Sequence, residues 1–201
     1  MRPIKMEKNF ERELPAGYEE VFSFDAKDKK TVIRMNIAAI VISFALLLIP
    51  IVWMGIPRSV IEHLLLFLIV MIVSIVAYLV LHELVHGIAY KLLTHEKLTF
   101  GITPSVAYCG VPHIYVYRRA ALISLLAPFT VFGIIFLLGM ILLWGTFAGY
   151  LFGVLFAIHF GGCSGDLYDT YLYLTRFKDP MTLMQDTGPK QTFYLPEPEN
   201  D

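Results

Sequence analysis

The chain has 201 residues, room for one domain. Hydrophobic residues make up 57% of it and charged residues only 16%. Soluble domains carry about 45–50% and about 25%, so this composition excludes an ordinary water-soluble domain and points to an integral membrane protein. A net charge of −1 gives no overall pull toward nucleic acid, and two cysteines make no disulfide framework.

Residues 1–31 are polar and charged, without the apolar core of a signal peptide, and are expected to form a cytosolic tail with room for a short helix. The first apolar run is Ile33–Ile56, "IRMNIAAIVISFALLLIPIVWMGI". As a helix it is about 36 Å long at 1.5 Å per residue, enough to cross roughly 30 Å of hydrocarbon, with a kink allowed at Pro50. Pro57 then breaks the chain. Ser59 and Glu62 have capping-box spacing, which predicts a helix starting near Val60 and running to about Leu93.

Residues 94–119 are punctuated by Gly101, Pro104, Gly110 and Pro112. Within them "HIYVY" is rich in β-branched and aromatic residues and predicts a short strand. An exposed edge there could hold an extended peptide as an added strand. A third span is expected over Ala120–Leu143, with Pro128 near its start, and a fourth from Tyr150 to about Leu174, interrupted by "GGCSGD". The proline-rich tail beyond Arg176 reads as irregular. The expected fold is an all-α integral membrane protein: four transmembrane helices and a short cytoplasmic β-hairpin-like segment between helices 2 and 3. Its parts are a tail (1–31), a membrane domain (32–175) and a second tail (176–201).

The basic residues give this layout an orientation. Fifteen of the sixteen lysines and arginines fall on one side of a four-span chain, Arg58 being the exception. The positive-inside rule makes that side cytoplasmic, so the expected location is the cell membrane, multi-pass, with both termini cytoplasmic.

The second span contains "YLVLHELVHGIA", residues 78–89. Charged residues at mid-helix in a bilayer cost at least about 2.5–3.5 kcal/mol on insertion scales, so such residues are presumed functional. His82 and His86 are four apart and project from one helix face, where both imidazoles can bind one Zn2+. Glu83 lies about 100° further round. This is the His-Glu-x-x-His arrangement, in which the glutamate serves as general base toward a zinc-bound water.

A catalytic zinc needs a third protein ligand. Asp166 is the first candidate, because glycines loosen the fourth span around it. It also lies roughly 27 Å from the outer end of its helix, against roughly 33 Å for His82. Asp169, one turn later, and His159, seven residues before Asp166, are alternatives. His95, His113 and Cys163 read as structural residues, and Tyr108 is a minor candidate for stabilising an oxyanion.

"HELVHG" on a membrane helix, with a later Gly-Asp on another, resembles the site-2-protease type of intramembrane metallopeptidase. More closely, "HELVHGIAY", "RRAALISLLAPF" and "GGCSGDLYD" together look like a small bacterial family of membrane zincins of unknown function. The resemblance covers roughly residues 75–170. It implies zinc on His82, His86 and Asp166, Glu83 as the base, and membrane proteins or peptides cut near the cytoplasmic face as substrates. In site-2 proteases the ligand aspartate precedes a glycine; here the order is Gly165-Asp166. No inserted PDZ-like segment is visible, so substrate selection would fall to the membrane part. Two other readings of the histidine pair are a structural zinc site, which needs no base at Glu83, and a metal-ion pathway. The pathway needs polar groups along its length, and the outer halves of the spans are nearly bare of them.

Overall fold

The computed structural model describes residues 8–25, 28–102 and 107–197; Pro104 lies outside them. The chain begins with strands β1 (Phe10–Glu11) and β2 (Tyr18–Asp25), then helix α1 (Lys29–Ile49). At Pro50, which has no N–H to give, α1 passes into a π-helical turn, Pro50–Met54. A short helix α2 (Arg58–Glu62) precedes the long α3 (Leu64–Thr94). Strands β3 (Thr99–Ile102), β4 (Ala107–Gly110) and β5 (Tyr115–Tyr117) lead into α4 (Arg118–Leu142). Helices α5 (Phe147–Gly162) and α6 (Ser164–Thr175) follow, then strands β6 (Leu183–Asp186) and β7 (Lys190–Pro196).

Among the described residues, three stretches are long and apolar enough to cross a membrane: Ile33–Met54, Leu64–Thr94 and Arg118–Leu142. The pair α5–α6, bent by 48°, makes a fourth if counted as one span. Large apolar side chains cover their outer surfaces, among them Phe44, Trp53, Leu65 and Leu142. Such a surface is compatible with a membrane protein, where lipid rather than a protein core covers it.

The all-α expectation is corrected by the strands. Five of them form one antiparallel sheet in the order β1-β5-β6-β7-β2, and β3 pairs with β4 as a separate two-stranded sheet. Both segments read as tails therefore contribute strands. In β2 and β7 charged and proline residues mask the alternation, and pairing from Tyr18 with Pro196 to Asp25 with Lys190 depends on residues far apart in sequence. "HIYVY" does form a strand, but β5 is no edge: β1 covers one side and β6 the other. The Ser59/Glu62 capping box is also absent. Ser59 lies inside α2, no side chain caps that helix, and Glu62 instead pairs with Arg58 at 2.7 Å.

The sheet packs on the ends of the long helices through a core that includes Tyr90, Val116, Ala121, Tyr173, Met184 and Phe193. Between α1 and α5 the approach is closer still. A Cβ added at Gly161 would meet the Ala39 carbonyl and the Ser43 hydroxyl. Small residues at helix crossings permit such contact. Gly161→Val should therefore destabilise the protein by about 1–3 kcal/mol. Gly165→Ala, where an added Cβ meets nothing within 4 Å, should stay within about 1 kcal/mol of the parent. Unfolding midpoints in detergent compare the two, and equal effects would contradict the packing described.

Candidate metal centre

Helix α3 carries His82, Glu83 and His86 near its sheet-side end; both histidines are buried, each 7% exposed. Asp166 lies in the first turn of α6, just past the break at Cys163. Glycines at 161, 162 and 165 make a continuous helix costly there. The resulting bend brings the carboxylate to α3, and the positive end of α6 favours its charge. His82 Nε2 lies 3.3 Å from Asp166 Oδ2, and His86 Nε2 lies 3.3 Å from Asp166 Oδ1.

The far side of each ring fixes what faces Asp166. His86 Nδ1 lies 2.8 Å from the Ser124 carbonyl on α4. A carbonyl only accepts, so Nδ1 carries a proton and Nε2 is the nitrogen presented to Asp166. That carbonyl is available because residue 128, its helical donor four positions on, is proline.

A longer chain fixes His82. His159 Nε2 lies 3.1 Å from the Phe129 carbonyl, so it donates, and Nδ1 of the same fully buried ring accepts. The Tyr78 hydroxyl, 2.9 Å from His159 Nδ1, donates there. Its oxygen then accepts from His82 Nδ1 at 3.1 Å, which presents His82 Nε2 to Asp166 as well. Both Nε2 atoms thus face the Asp166 carboxylate, where a metal ion, or a proton on each ring, joins them to it.

The spacing suits a metal ion. Ligand atoms of His82, His86 and Asp166 all lie within 4.8 Å of one another. Tetrahedral zinc with bonds of about 2.0–2.1 Å separates its ligand atoms by about 3.3–3.4 Å. His82, His159 and Cys163 form a second compact group. There, however, both nitrogens of His159 already have hydrogen-bond partners and all three residues are buried. His159 is better placed as support for His82 through Tyr78.

A cavity of about 150 Å³ opens on the Asp166 cluster. Glu83, Tyr108, Asp169 and Asp186 line it with the two histidines and Asp166. The backbone of Cys109 on β4 lies beside the Glu83 carboxylate. Asp186 comes from β6. Its Oδ2 accepts from the Tyr90 hydroxyl at 2.7 Å, and its Oδ1 from the Gly188 N–H at 2.8 Å. Burial pushes its carboxyl up to about 6, against the opposing pull of those two donors. Gly188 has φ 93°, and an added Cβ would strike the Tyr108 ring, so glycine is required twice over.

Sequence reasoning brought forward His82, Glu83, His86, Asp166, Asp169 and Tyr108, and one cavity joins all six. It missed Tyr78, which reads as one more apolar-face residue a turn before His82, and Asp186, which lies in a segment read as irregular.

Two histidines one turn apart on a helix, with a carboxylate from another helix, form a group that could hold a metal ion. The chain belongs to the family described as "Putative zincin peptidase" (DUF3267), whose model matches residues 75–180, more than half of the chain. Comparisons with curated proteins and with solved structures found no match.

The hydrogen-bond chain behind His82 makes Tyr78→Phe informative. Outer-shell partners of metal-bound histidines are typically worth 10–100-fold in affinity. Tyr78→Phe should weaken zinc binding by about tenfold or more while keeping one zinc per chain at saturation. Competition against a chromophoric chelator measures this, and unchanged affinity would contradict the proton arrangement derived above.

Proposed function

We propose that the protein is a zinc-dependent intramembrane endopeptidase that cuts membrane proteins or peptides near the cytoplasmic face. The observation that carries this reading is the convergence of two imidazole Nε2 atoms on the Asp166 carboxylate, with Glu83 lining the same cavity. His82, His86 and Asp166 would hold the metal. Bound zinc supplies a Lewis acid for the scissile carbonyl and lowers the pKa of water toward about 7. Glu83 takes the proton from the attacking water and returns it to the leaving amine nitrogen as the C–N bond breaks. Ser124 and Tyr78 keep the two rings in the tautomer that binds metal. The walls around the cavity limit water to the reacting site, and the substrate must be locally unwound before its backbone reaches Glu83.

Glu83→Gln separates this reading from a structural zinc site. The variant should keep one zinc per chain, measured by metal analysis of detergent-purified protein, and lose peptide cleavage by at least about a hundredfold. Undiminished cleavage would remove Glu83 from the mechanism.

The orientation is part of the proposal. Fifteen of sixteen basic residues group with the termini and the 94–119 segment. In a background lacking Cys109 and Cys163, His63→Cys should react with a membrane-impermeant maleimide in intact cells. Lys178→Cys should react only after permeabilisation. Labelling in the opposite order would invert the topology.

A further inference from the structure

The five-stranded sheet ends on one side in β2, and that edge is open. β2 pairs with β7 alone. Beyond that ladder, the backbone groups of Tyr18–Phe24 make no hydrogen bond to another described residue. At about 3.3 Å per residue this edge is about 20 Å long. Proteins normally shorten or cover such an edge, because it is a template for another strand. The opposite edge of the same sheet, β1, has only two residues.

The open edge leads to the metal cluster. Phe24 lines the cavity with His82, His86 and Asp166, and its cross-strand partner Gln191 lies on the same wall. A bulge between Glu20 and Phe22 divides the strand, so Phe22–Phe24 is a regular stretch beside the cavity. β2 ends at Asp25, shortly before α1 begins at Lys29. The strand therefore runs toward a helix that can enter the bilayer, with Tyr18 at its far end. Among the described residues no other strand combines these features. β3 has an open side, but none of its residues lines the cavity. β4 does line the cavity, yet beside Gly110 the 186–188 turn closes it off, and the Val111 N–H donates to the Asp186 carbonyl at 2.8 Å.

Charge selects the occupant. Glu19 and Glu20 on β2 are exposed, and among the described residues no lysine or arginine pairs with either. Opposite charges across a strand pair favour pairing, and like charges oppose it. A second copy of this chain would set an equally acidic strand against these glutamates. The cytoplasmic flank of a membrane span is instead rich in lysine and arginine. An enzyme that cuts near the cytoplasmic face has to hold that flank in extended form.

We infer that the open edge of β2 docks the basic juxtamembrane segment of the substrate, which joins the sheet as an added strand and enters the cavity beside Phe24. The inference rests on the peptidase reading and its orientation for the identity of the substrate, but the docking edge can be read by binding alone. Main-chain hydrogen bonds to β2 supply affinity, and Glu19 and Glu20 supply the preference for basic side chains. The chain that leaves the edge is already extended when it reaches Glu83.

The probe is a synthetic peptide of about twenty apolar residues joined, at either end, to a decapeptide of alternating lysine and valine. It is mixed in detergent with zinc-loaded full-length protein. Binding to the Glu83→Gln protein is followed by fluorescence anisotropy, and cleavage is assayed with wild type. Two further probes carry N-methyl groups on alternate amides of the basic stretch, in complementary sets. A strand offers only every second N–H to one neighbour, so one set should weaken binding at least about tenfold and the other less than about twofold. Glu19→Lys combined with Glu20→Lys should weaken binding of the unmethylated probe at least about fivefold. In a background lacking Cys109 and Cys163, Ser23→Cys should crosslink to cysteines at alternate positions of the stretch. Ile102→Cys, on the exposed side of β3, should not. Zinc content of one per chain checks that each variant is folded.

Equal weakening by both methylated sets overturns strand addition, as does crosslinking at Ile102→Cys in place of Ser23→Cys. Binding indifferent to the two charge reversals overturns the selection of basic segments. A crosslink between two Ser23→Cys copies, with none to the probe, assigns the edge to self-association and overturns the inference. Cleavage of the probe without crosslinking at Ser23→Cys overturns the docking edge and leaves the peptidase reading standing. Set-dependent binding with crosslinking at Ser23→Cys, but no cleavage by wild type, sustains the edge and overturns the peptidase. Absence of both binding and cleavage overturns both.

Discussion

Two imidazole Nε2 atoms aimed at one carboxylate are the contact on which the rest of the structure depends. Each lies 3.3 Å from Asp166, and a metal ion or a proton on each ring must join them to it. Much of the surrounding structure is accounted for by what turns those nitrogens, and not Nδ1, toward Asp166. Pro128 frees the Ser124 carbonyl, which takes the proton side of His86. The Phe129 carbonyl orders His159, His159 orders Tyr78, and Tyr78 orders His82. A kink residue and a buried histidine thus act on the site without touching what binds there.

The second constraint is the break between α5 and α6. A straight helix through residues 161–165 would continue past α3 on its original course. The glycines permit a 48° bend, and Asp166 lies in the first turn after it. Gly161, on the same stretch, is committed to the close approach of α1. One short segment therefore sets both the helix packing and the position of Asp166.

Local features were legible in the sequence, and features made by distant partners were not. His82, Glu83 and His86 are fixed relative to one another by helix geometry alone, so their spacing already defines the chemistry. Asp166 could be approached through its depth along the chain and its glycine neighbours. Tyr78 could not, because its role depends on His159, eighty-one residues away. The sheet was hidden for the same reason: β2 and β7 are charged or proline-bearing segments that become strands by pairing with each other. β5 was visible as a strand, but its burial between β1 and β6 is a property of the whole sheet. At Glu62 two local rules competed, and a charged partner four residues back outweighed a capping role.

The strands that flank the helices have a consequence for trimming the protein. β2 precedes the first long helix and β7 follows the last, and the two pair with each other. Phe24 and Gln191 are partners in that pairing, and both line the cavity beside His82 and His86. Cutting the chain back to its apolar helices would therefore remove part of the cavity wall. A minimal helical core keeps His82, His86 and Asp166 but not the chamber around them.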